Sequence, residues 1–484
     1  MQVNYFKNQA SVINVLREVI KGSLSVAIYG DYDVDGLFSL MVFKDMFHLV
    51  GYSKKVYLYP YSNRTHKLDN NFLNFCLSRN IDFVIICDTG SNDMDLLLKF
   101  SAYGIRGVIL DHHISIFDYN DFPESFLVIN TRIDERFKIE NKMCGAAISF
   151  VIATELLKQE NITFDVGYFA TYALIAMYAD AIVMHTDFAR YLHELVERRK
   201  STPICIDYFL EDYFSVTRRF AEYIISPKIN AVFRREQFSL INHLFIEGTS
   251  DTFVLVNQIK ELHESTIFIV NTLLQKVVYE DLNGILLANL SLFLNSEYPN
   301  NFIVNHKGRI ANALASREGK PCICVCDTGK DIGGSFRDPY GRDYLQYFSP
   351  LIKAGGHPPA FGFSLPYVEW ERFKNIVKDI GKEHVRDTSL KHKLIDMTFG
   401  FDVLLAKKIA LENEFASSEF PTIYLKVNLH KIVENFNYNK FSYLIWSDGV
   451  SSYWANSDRK IHSPCSIILY PYLQKNLKLS VIWD

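Results

Sequence analysis

Residues 24–36 read LSVAIYGDYDVDG: a short apolar run, Leu24 to Tyr29, leads into a turn bounded by Gly30 and Gly36 that carries Asp31, Asp33 and Asp35 at alternate positions. Carboxylates this close repel one another, so the stretch calls for a cation among them. A divalent metal is the economical answer, because hard cations take carboxylate oxygens and neutralise the cluster. A calcium EF-hand loop also opens D-x-D-x-D-G. That reading fails because the twelfth loop position is Val42 where a bidentate Glu is required, and because the preceding run is β-branched and apolar rather than helical.

With 484 residues, 49% of them hydrophobic, the chain has material for more than one domain with a sizeable core. The first residues, MQVNYFKNQASVINVLREV, hold no apolar signal core. The longest apolar run, Phe169 to Met184, is broken by Asp180 and falls short of a bilayer span, so a soluble protein with no membrane partner is expected. Cys322, Cys324 and Cys326 alternate along PCICVCD as same-face residues of a buried strand, a spacing that suits zinc less well than a cysteine hairpin does. Reduced thiols and a cytoplasmic location follow as the default. The net charge of −4 argues against a general basic coat, so a polyanion has to be held by local Arg and Lys clusters and by metals.

The first third alternates apolar runs with helical patterns, the signature of a mainly parallel sheet covered by helices. Strands are expected at LSVAIY (24–29), VYLYPY (56–61), FVIICD (83–88), GVILD (107–111) and FLVIN (126–130). The first delivers Asp31, Asp33 and Asp35, the third Asp88 in CDTG, and the fourth Asp111, His112 and His113. Polar groups at the carboxyl ends of parallel strands converge on the crevice where open α/β sheets bind ligands, which makes these residues a metal site. Helices are expected over 144–159 and 166–184. The second is apolar except for Asp180, whose carboxylate either completes the metal shell or caps the next turn.

GDYDVDG, CDTG, LDHH and the MYADAIV around Asp180 together resemble the four-motif signature of the DHH phosphoesterase family. The resemblance implies two divalent metal ions, manganese preferred or magnesium, held by Asp33, Asp35, Asp88, His112 and Asp180. It implies catalytic, phosphate-facing places for Asp31 and His113, with Asp111 orienting His112 from behind. Further on, SPKINAVFRRE (226–236) is similar to the P-R-x-N-A-x-G-R segment of RecJ-type single-strand exonucleases within the family. Pro227, Asn230, Ala231 and Arg234 match, Lys228 replaces Arg, and Phe233 replaces Gly. NFIVNHKGRIANALASREGKPCICVCDTGKDIGGSFRD (301–338) and KAGGHPPAFGF (353–363) resemble the family's second domain, DHHA1, whose GS-x-R and GGH motifs bind the phosphate end of the substrate. Substrate contacts are therefore expected from Asn230, Arg234, Gly334, Ser335, Arg337, Gly355, Gly356 and His357. Glycines let backbone amides approach an anion, and Arg supplies a bidentate fork.

The final stretch alternates in short apolar runs, PTIYLKVNL, FSYLIW and SIILYPYL, which suggests an antiparallel β domain. It is dense in aromatics: Phe436, Tyr438, Phe441, Tyr443, Trp446, Tyr453 and Trp454. RecJ-type enzymes often carry an oligonucleotide-binding (OB) barrel there. The expected architecture is α/β: a mainly parallel-sheet DHH domain (1–195), a helical connector (196–290), a smaller α/β DHHA1 domain (291–390) and a C-terminal β-rich, OB-like domain (391–484).

The activity the resemblance implies is metal-dependent phosphodiester hydrolysis of single-stranded nucleic acid, DNA rather than RNA. Polarity is 5′→3′, mononucleotides are released, and a single-strand-binding protein is an implied partner. No Ser–His–Asp or Cys–His pattern competes for the nucleophile's role. The alternatives are an oligoribonucleotide or cyclic-dinucleotide phosphodiesterase and a non-catalytic replication scaffold of the same fold. Retention of the whole ligand set counts against the scaffold. The pyrophosphatase branch places a histidine four residues before its first metal Asp, where this chain has Tyr29.

Overall fold

The computed structural model describes residues 5–62, 67–136, 143–210, 215–248, 251–327, 329, 331–340, 342–348, 352–357, 359–384, 393–396, 403–415, 423–428, 434–437, 440–447, 452–457, 466–473 and 477–482. They divide into two compact units, one within Met1–Phe233, Phe238–Gln258 and His392–Asp484, the other within Arg234–Gln237 and Ile259–Lys391. Among the described residues no helix is long and apolar enough to cross a membrane.

The first unit is built on five parallel strands, β1 (Val26–Gly30), β2 (Val56–Leu58), β3 (Phe83–Cys87), β4 (Arg106–Asp111) and β5 (Phe126–Asn130), in the order β2-β1-β3-β4-β5. The runs are near-continuously apolar because helices cover both faces. Strand β2 is shorter than the 56–61 expected, since Pro60 brings no amide to extend the ladder. The strand order reverses between β1 and β3, which opens a crevice at their carboxyl ends.

Helix α1 (Gln9–Lys21) precedes β1, α2 (Val34–Leu49), α3 (Asn70–Ser78) and α4 (Met94–Ala102) follow β1, β2 and β3, and α5 (Gly145–Gln159), α6 (Val166–Ala179) and α7 (Asp187–Glu197) come after β5. Helix α2 is apolar all round because it packs on β1 with one side and on α5 and α6 with the other. Phe72 of α3 packs against Tyr29, Tyr59 and Phe100. The helix expected over 166–184 stops at Ala179. Asp180 takes the C-cap position and Ala181 turns to φ +52°, so Asp180 sits at a helix end, not along a buried helix face.

After α8 (Ile204–Leu210), the π-helical turn Phe220–Ile225 runs into α9 (Ser226–Arg234), and α10 (Phe238–Ile241) and α11 (Thr252–Lys276) follow. The second unit holds a six-stranded sheet from β6 (Tyr279–Leu282), β7 (Ile285–Asn289), β8 (Cys322–Asp327), β9 (Ile332–Arg337), β10 (Lys353–His357) and β11 (Ala360–Leu365), in the order β10-β11-β9-β8-β7-β6. Its helices are α12 (Asn300–Glu318), α13 (Leu345–Phe348) and α14 (Trp370–His384). Phe373 and Val377 of α14 pack in one core with Ile323, Phe336 and Phe361. A second core joins Ile303, Ile310 and Leu314 of α12 to Cys322, Cys324 and Cys326, which share one face of β8 as their alternation implies.

The C-terminal strands β12 (Lys393–Asp396), β13 (Ile423–Asn428), β14 (Glu434–Asn437), β15 (Lys440–Ser447), β16 (Ser452–Ser457), β17 (Ser466–Leu473) and β18 (Leu477–Ile482) form a sheet of order β12-β13-β17-β18-β16-β15-β14. It is mixed where the sequence suggests antiparallel pairing. Helix α15 (Val403–Asn413) crosses over between β12 and β13 and makes them parallel, and β16 and β18 are parallel too. Tyr438 and the side chains of Phe436, Phe441, Tyr443, Trp446, Tyr453 and Trp454 lie outside the described residues.

Within the first unit, the end of α15 beside this sheet is fastened to α6 and the 215–219 segment by a buried polar latch. Tyr178 of α6 donates to Glu414 O (2.9 Å) and lies 2.6 Å from His193 Nε2, while the Arg218 amide donates to Glu414 Oε2 (2.5 Å). Burial lifts the Glu414 carboxyl from 4.5 to about 7, only partly offset by Arg218. Folded Glu414 therefore keeps its proton to a higher pH than the unfolded chain does, and stability falls as pH rises through that window. Glu414→Gln should flatten the loss, read as a smaller drop in urea midpoint between about pH 5 and about pH 7.5 than the wild type shows.

Candidate metal centre

The crevice is furnished by the ends of four strands. Beyond β1, Asp31 is buried, and Asp33 caps α2 by accepting from the amides of Asp35 (2.9 Å) and Gly36 (3.1 Å). Gly36 is obligatory: a Cβ there would lie 2.2 Å from the Asp31 nitrogen and 2.4 Å from its oxygen. Asp35, in the first turn of α2, has both oxygens engaged by the start of α5, from Gly145 N (2.7 Å) and Ala146 N (2.8 Å). A Cβ on Gly145 would meet the Asp88 Cβ at 2.8 Å, so a glycine is what lets α5 approach.

Beyond β3, Asp88 adopts φ +61°, a left-handed conformation rare for a side-chain-bearing residue. Beyond β4, Asp111 organises the next turn: its Oδ1 accepts from His112 N (2.7 Å) and His113 N (3.1 Å) and lies 2.8 Å from His113 Nδ1, and its Oδ2 accepts from Ser91 N (3.2 Å). Beyond β5, Asn130 donates to Ser91 Oγ (2.8 Å) and His113 O (3.0 Å), and Arg132 Nε donates to His112 O (3.2 Å). Motif reading passes over Ser91, Asn130 and Arg132. The signal for the last two is the polar NTR that ends FLVIN, one more strand end facing the same crevice.

Asp31, Asp33, Asp35, Asp88, His112, His113 and Asp180 are thus brought together. His112 Nε2 lies among three carboxylates, 3.0 Å from Asp88 Oδ1, 3.5 Å from Asp180 Oδ2 and 3.6 Å from Asp35 Oδ2. Two triads offer donor atoms that all lie within 4.8 Å of one another: Asp31, Asp33 and Asp88, and Asp88, His112 and His113. Asp88 belongs to both.

Burial and then the neighbouring carboxylates push Asp88 well above its ordinary range and Asp33 up to about 7. Burial lowers His112, so its imidazole is neutral, as a metal ligand must be. Burial also acts to lower His113, but its bond to Asp111 prevails and raises it to about 10. Hard oxygens with neutral imidazole fit manganese or magnesium.

The remaining expected contacts lie elsewhere in the chain. Asn230 is on α9 in the first unit, and Arg234, at its end, groups with the second. Gly334, Ser335 and Arg337 lie on β9, and Gly355, Gly356 and His357 on β10, with β11 between them. Ser335, Gly362 and Gly355 stand in register across the three strands, a row almost free of side chains. The Arg337 guanidinium donates to Phe336 O (2.6 Å) and lies against Gly308 of α12, where a Cβ would come within 2.6 Å of it.

Residues 25–184 match the model of the DHH family, N-terminal domain. Similarity to known proteins extends beyond that domain. It is 23% identical over 378 residues to the putative SPbeta prophage-derived single-strand DNA-specific exonuclease YorK of Bacillus subtilis, aligning 69% of this chain with 62% of that protein. It is 21% identical over 444 residues to the single-stranded-DNA-specific exonuclease RecJ of Bacillus subtilis, aligning 89% with 54%. The chain therefore spans less than two thirds of the length of these relatives. The crystal structure of RecJ from Thermus thermophilus in complex with Mn2+ shares the fold at a TM-score of 0.75 and 15% identity, over 99% of this chain and 72% of that one. The complex of RecJ from Thermus thermophilus with Mg2+ gives a TM-score of 0.68 at 14% identity, over 99% and 70%.

Crowding has a measurable cost in the metal-free chain. Above pH 7 the charge on Asp33 opposes folding, and the opposition fades on acidification. Asp33→Asn keeps a capping side chain. It should raise the thermal midpoint of the metal-free chain at about pH 8, by an increment that shrinks toward about pH 5, and should reduce the further rise that manganese gives the wild type. A lower midpoint at the higher pH would contradict the crowding.

Proposed function

We propose that the chain is a metal-dependent phosphodiesterase of single-stranded nucleic acid, a 5′→3′ exonuclease of single-stranded DNA that releases mononucleotides. The observation that carries this reading is the pair of donor triads sharing Asp88 at the switch point of a RecJ-like sheet. The names of its relatives, single-strand DNA-specific exonucleases, support DNA over RNA.

Asp31, Asp33 and Asp88 would hold one divalent ion and Asp88 and His112 a second, with Asp35 and Asp180 closing the shell around His112; His113, kept charged by Asp111, would face the phosphate. When bound, such a pair activates water and neutralises the scissile phosphate. The chain's own residues supply the geometry. Asp111 fixes the DHH turn so that both imidazoles keep their places. Asn130 and Arg132 anchor the carbonyls of His113 and His112, and the Arg132 charge offsets that of Asp180. Ser335 and Arg337, with the glycine row beside them, are suited to hold a strand's phosphate.

Asp88→Ala and His112→Ala should each abolish hydrolysis, by at least about a thousandfold, as expected for groups that act as a unit. EDTA should silence the wild type and manganese restore it. With manganese, a 5′-phosphorylated single strand should be degraded faster than its duplex or a dinucleotide, and label should leave the 5′ end before the 3′ end. Fastest cleavage of the dinucleotide, with long strands untouched, would replace this reading with a small-substrate phosphodiesterase.

A further inference from the structure

Helix α12 carries polar groups that neither the metal centre nor the GS-x-R and GGH strands use. Phe302, His306 and Arg309 recur at spacings of four and three, which places them on one stripe of the helix. Asn301 Nδ2 donates to Glu236 Oε2 (3.1 Å), and Asn305 Nδ2 donates to Arg234 O (3.0 Å) and Glu236 Oε1 (3.0 Å), pinning residues 234–237 alongside the stripe. That contact brings Arg235 over the Phe302 ring, 5.2 Å from its centroid.

Two groups on the stripe are left unanswered. His306 is fully buried and stacked on Phe302 at 4.0 Å; its Nδ1 is 2.7 Å from Phe302 O and so carries the proton, while Nε2 has no hydrogen-bond partner among the described residues. Arg309 is partly buried, its guanidinium is pushed below its ordinary range by burial, and it has no hydrogen-bond or ion-pair partner among the described residues. Glu236, the acid alongside, already accepts from both asparagines. A desolvated guanidinium without a counter-charge is costly, and the cost is removed when a ligand brings the anion.

We propose that this stripe is an anion subsite, built on Arg309 and His306 with Arg235 beside them, that takes a backbone phosphodiester of the bound strand. It is separate from the Arg337 position. Gly308, against which Arg337 lies, is two residues from His306 and so about 200° around the helix. The guanidinium of Arg309 offers the fork that a phosphate accepts. His306 donates from Nε2 only after taking a proton from solvent. Burial, Arg234, Arg235 and Arg309 resist this in the free chain, and Lys307 turns its Nζ to Val304 O. A phosphate between these groups removes the resistance, so binding takes up one proton.

The inference rests on the nuclease reading, and one experiment separates the two. A fluorescent, hydrolysis-resistant phosphorothioate DNA strand with a 5′-hydroxyl is titrated with the full chain in manganese, followed by anisotropy. Arg309→Gln should raise Kd at least about tenfold without altering manganese affinity, and Arg309→Lys should recover most of the loss. The wild-type Kd should fall by up to about tenfold per pH unit between about pH 8 and 6, and His306→Phe should abolish that slope. No strand binding by the wild type would refute the nuclease reading itself. Strand binding with Arg309→Gln within about twofold of wild type, or with equal loss in both Arg309 variants, would overturn the subsite and leave the nuclease reading standing. Equal pH slopes in wild type and His306→Phe would overturn the role of His306.

Discussion

Repulsion among carboxylates gathered in one crevice is the constraint on which the first unit depends. Asp31, Asp33, Asp35, Asp88 and Asp180 reach the same point from β1, α2, β3 and the end of α6. Nothing in their mutual electrostatics would bring them there. The surrounding backbone does it: a parallel sheet whose order reverses between β1 and β3, a glycine at 36 that lets the turn close on Asp31, a left-handed Asp88, and a glycine at 145 that lets α5 reach Asp35. Apolar packing of α2 between the sheet and α5 and α6 stabilises an arrangement that its own charges oppose.

Acids in the same crevice are pushed in opposite directions, and the direction follows the neighbours. Asp111 is as buried as Asp88, yet it lies well below its ordinary range. Burial alone would raise it, and the bonds and charges of His113, His112 and Ser91 outweigh that burial. Asp88 is raised, because burial and the charges of Asp35, Asp33, Asp31 and Asp180 act on it together. The first pattern suits a residue that positions others, the second one whose charge a bound cation would relieve. The α12 stripe repeats the second pattern with the sign reversed, since its arginines push His306 down instead of holding it charged.

The strand ends were legible because each couples an apolar run to a polar group, and the period of the run fixes which end meets the crevice. Ranking the acids was not. Alternation treats Asp31 and Asp35 alike, and the difference comes from the amides of Gly145 and Ala146, 110 and 111 residues away from Asp35. The stop after Ala179 carries no Gly or Pro; an alanine at φ +52° makes the turn, which no local preference announces. The mixed C-terminal sheet escaped because short apolar runs do not reveal that α15 intervenes between β12 and β13. His306 and Arg309 lie in the 301–338 stretch but outside its GS-x-R motif, and their missing partners single them out.

The proposed sharing of Asp88 by two ions is the point at which the account is most exposed. Manganese titrated into the metal-free chain, followed by electron paramagnetic resonance with the bound metal counted, tests it directly. The account predicts two ions per chain with a spin-coupled signal, because two ions sharing Asp88 would be close enough to couple. A single uncoupled ion at saturation, or none, would contradict it.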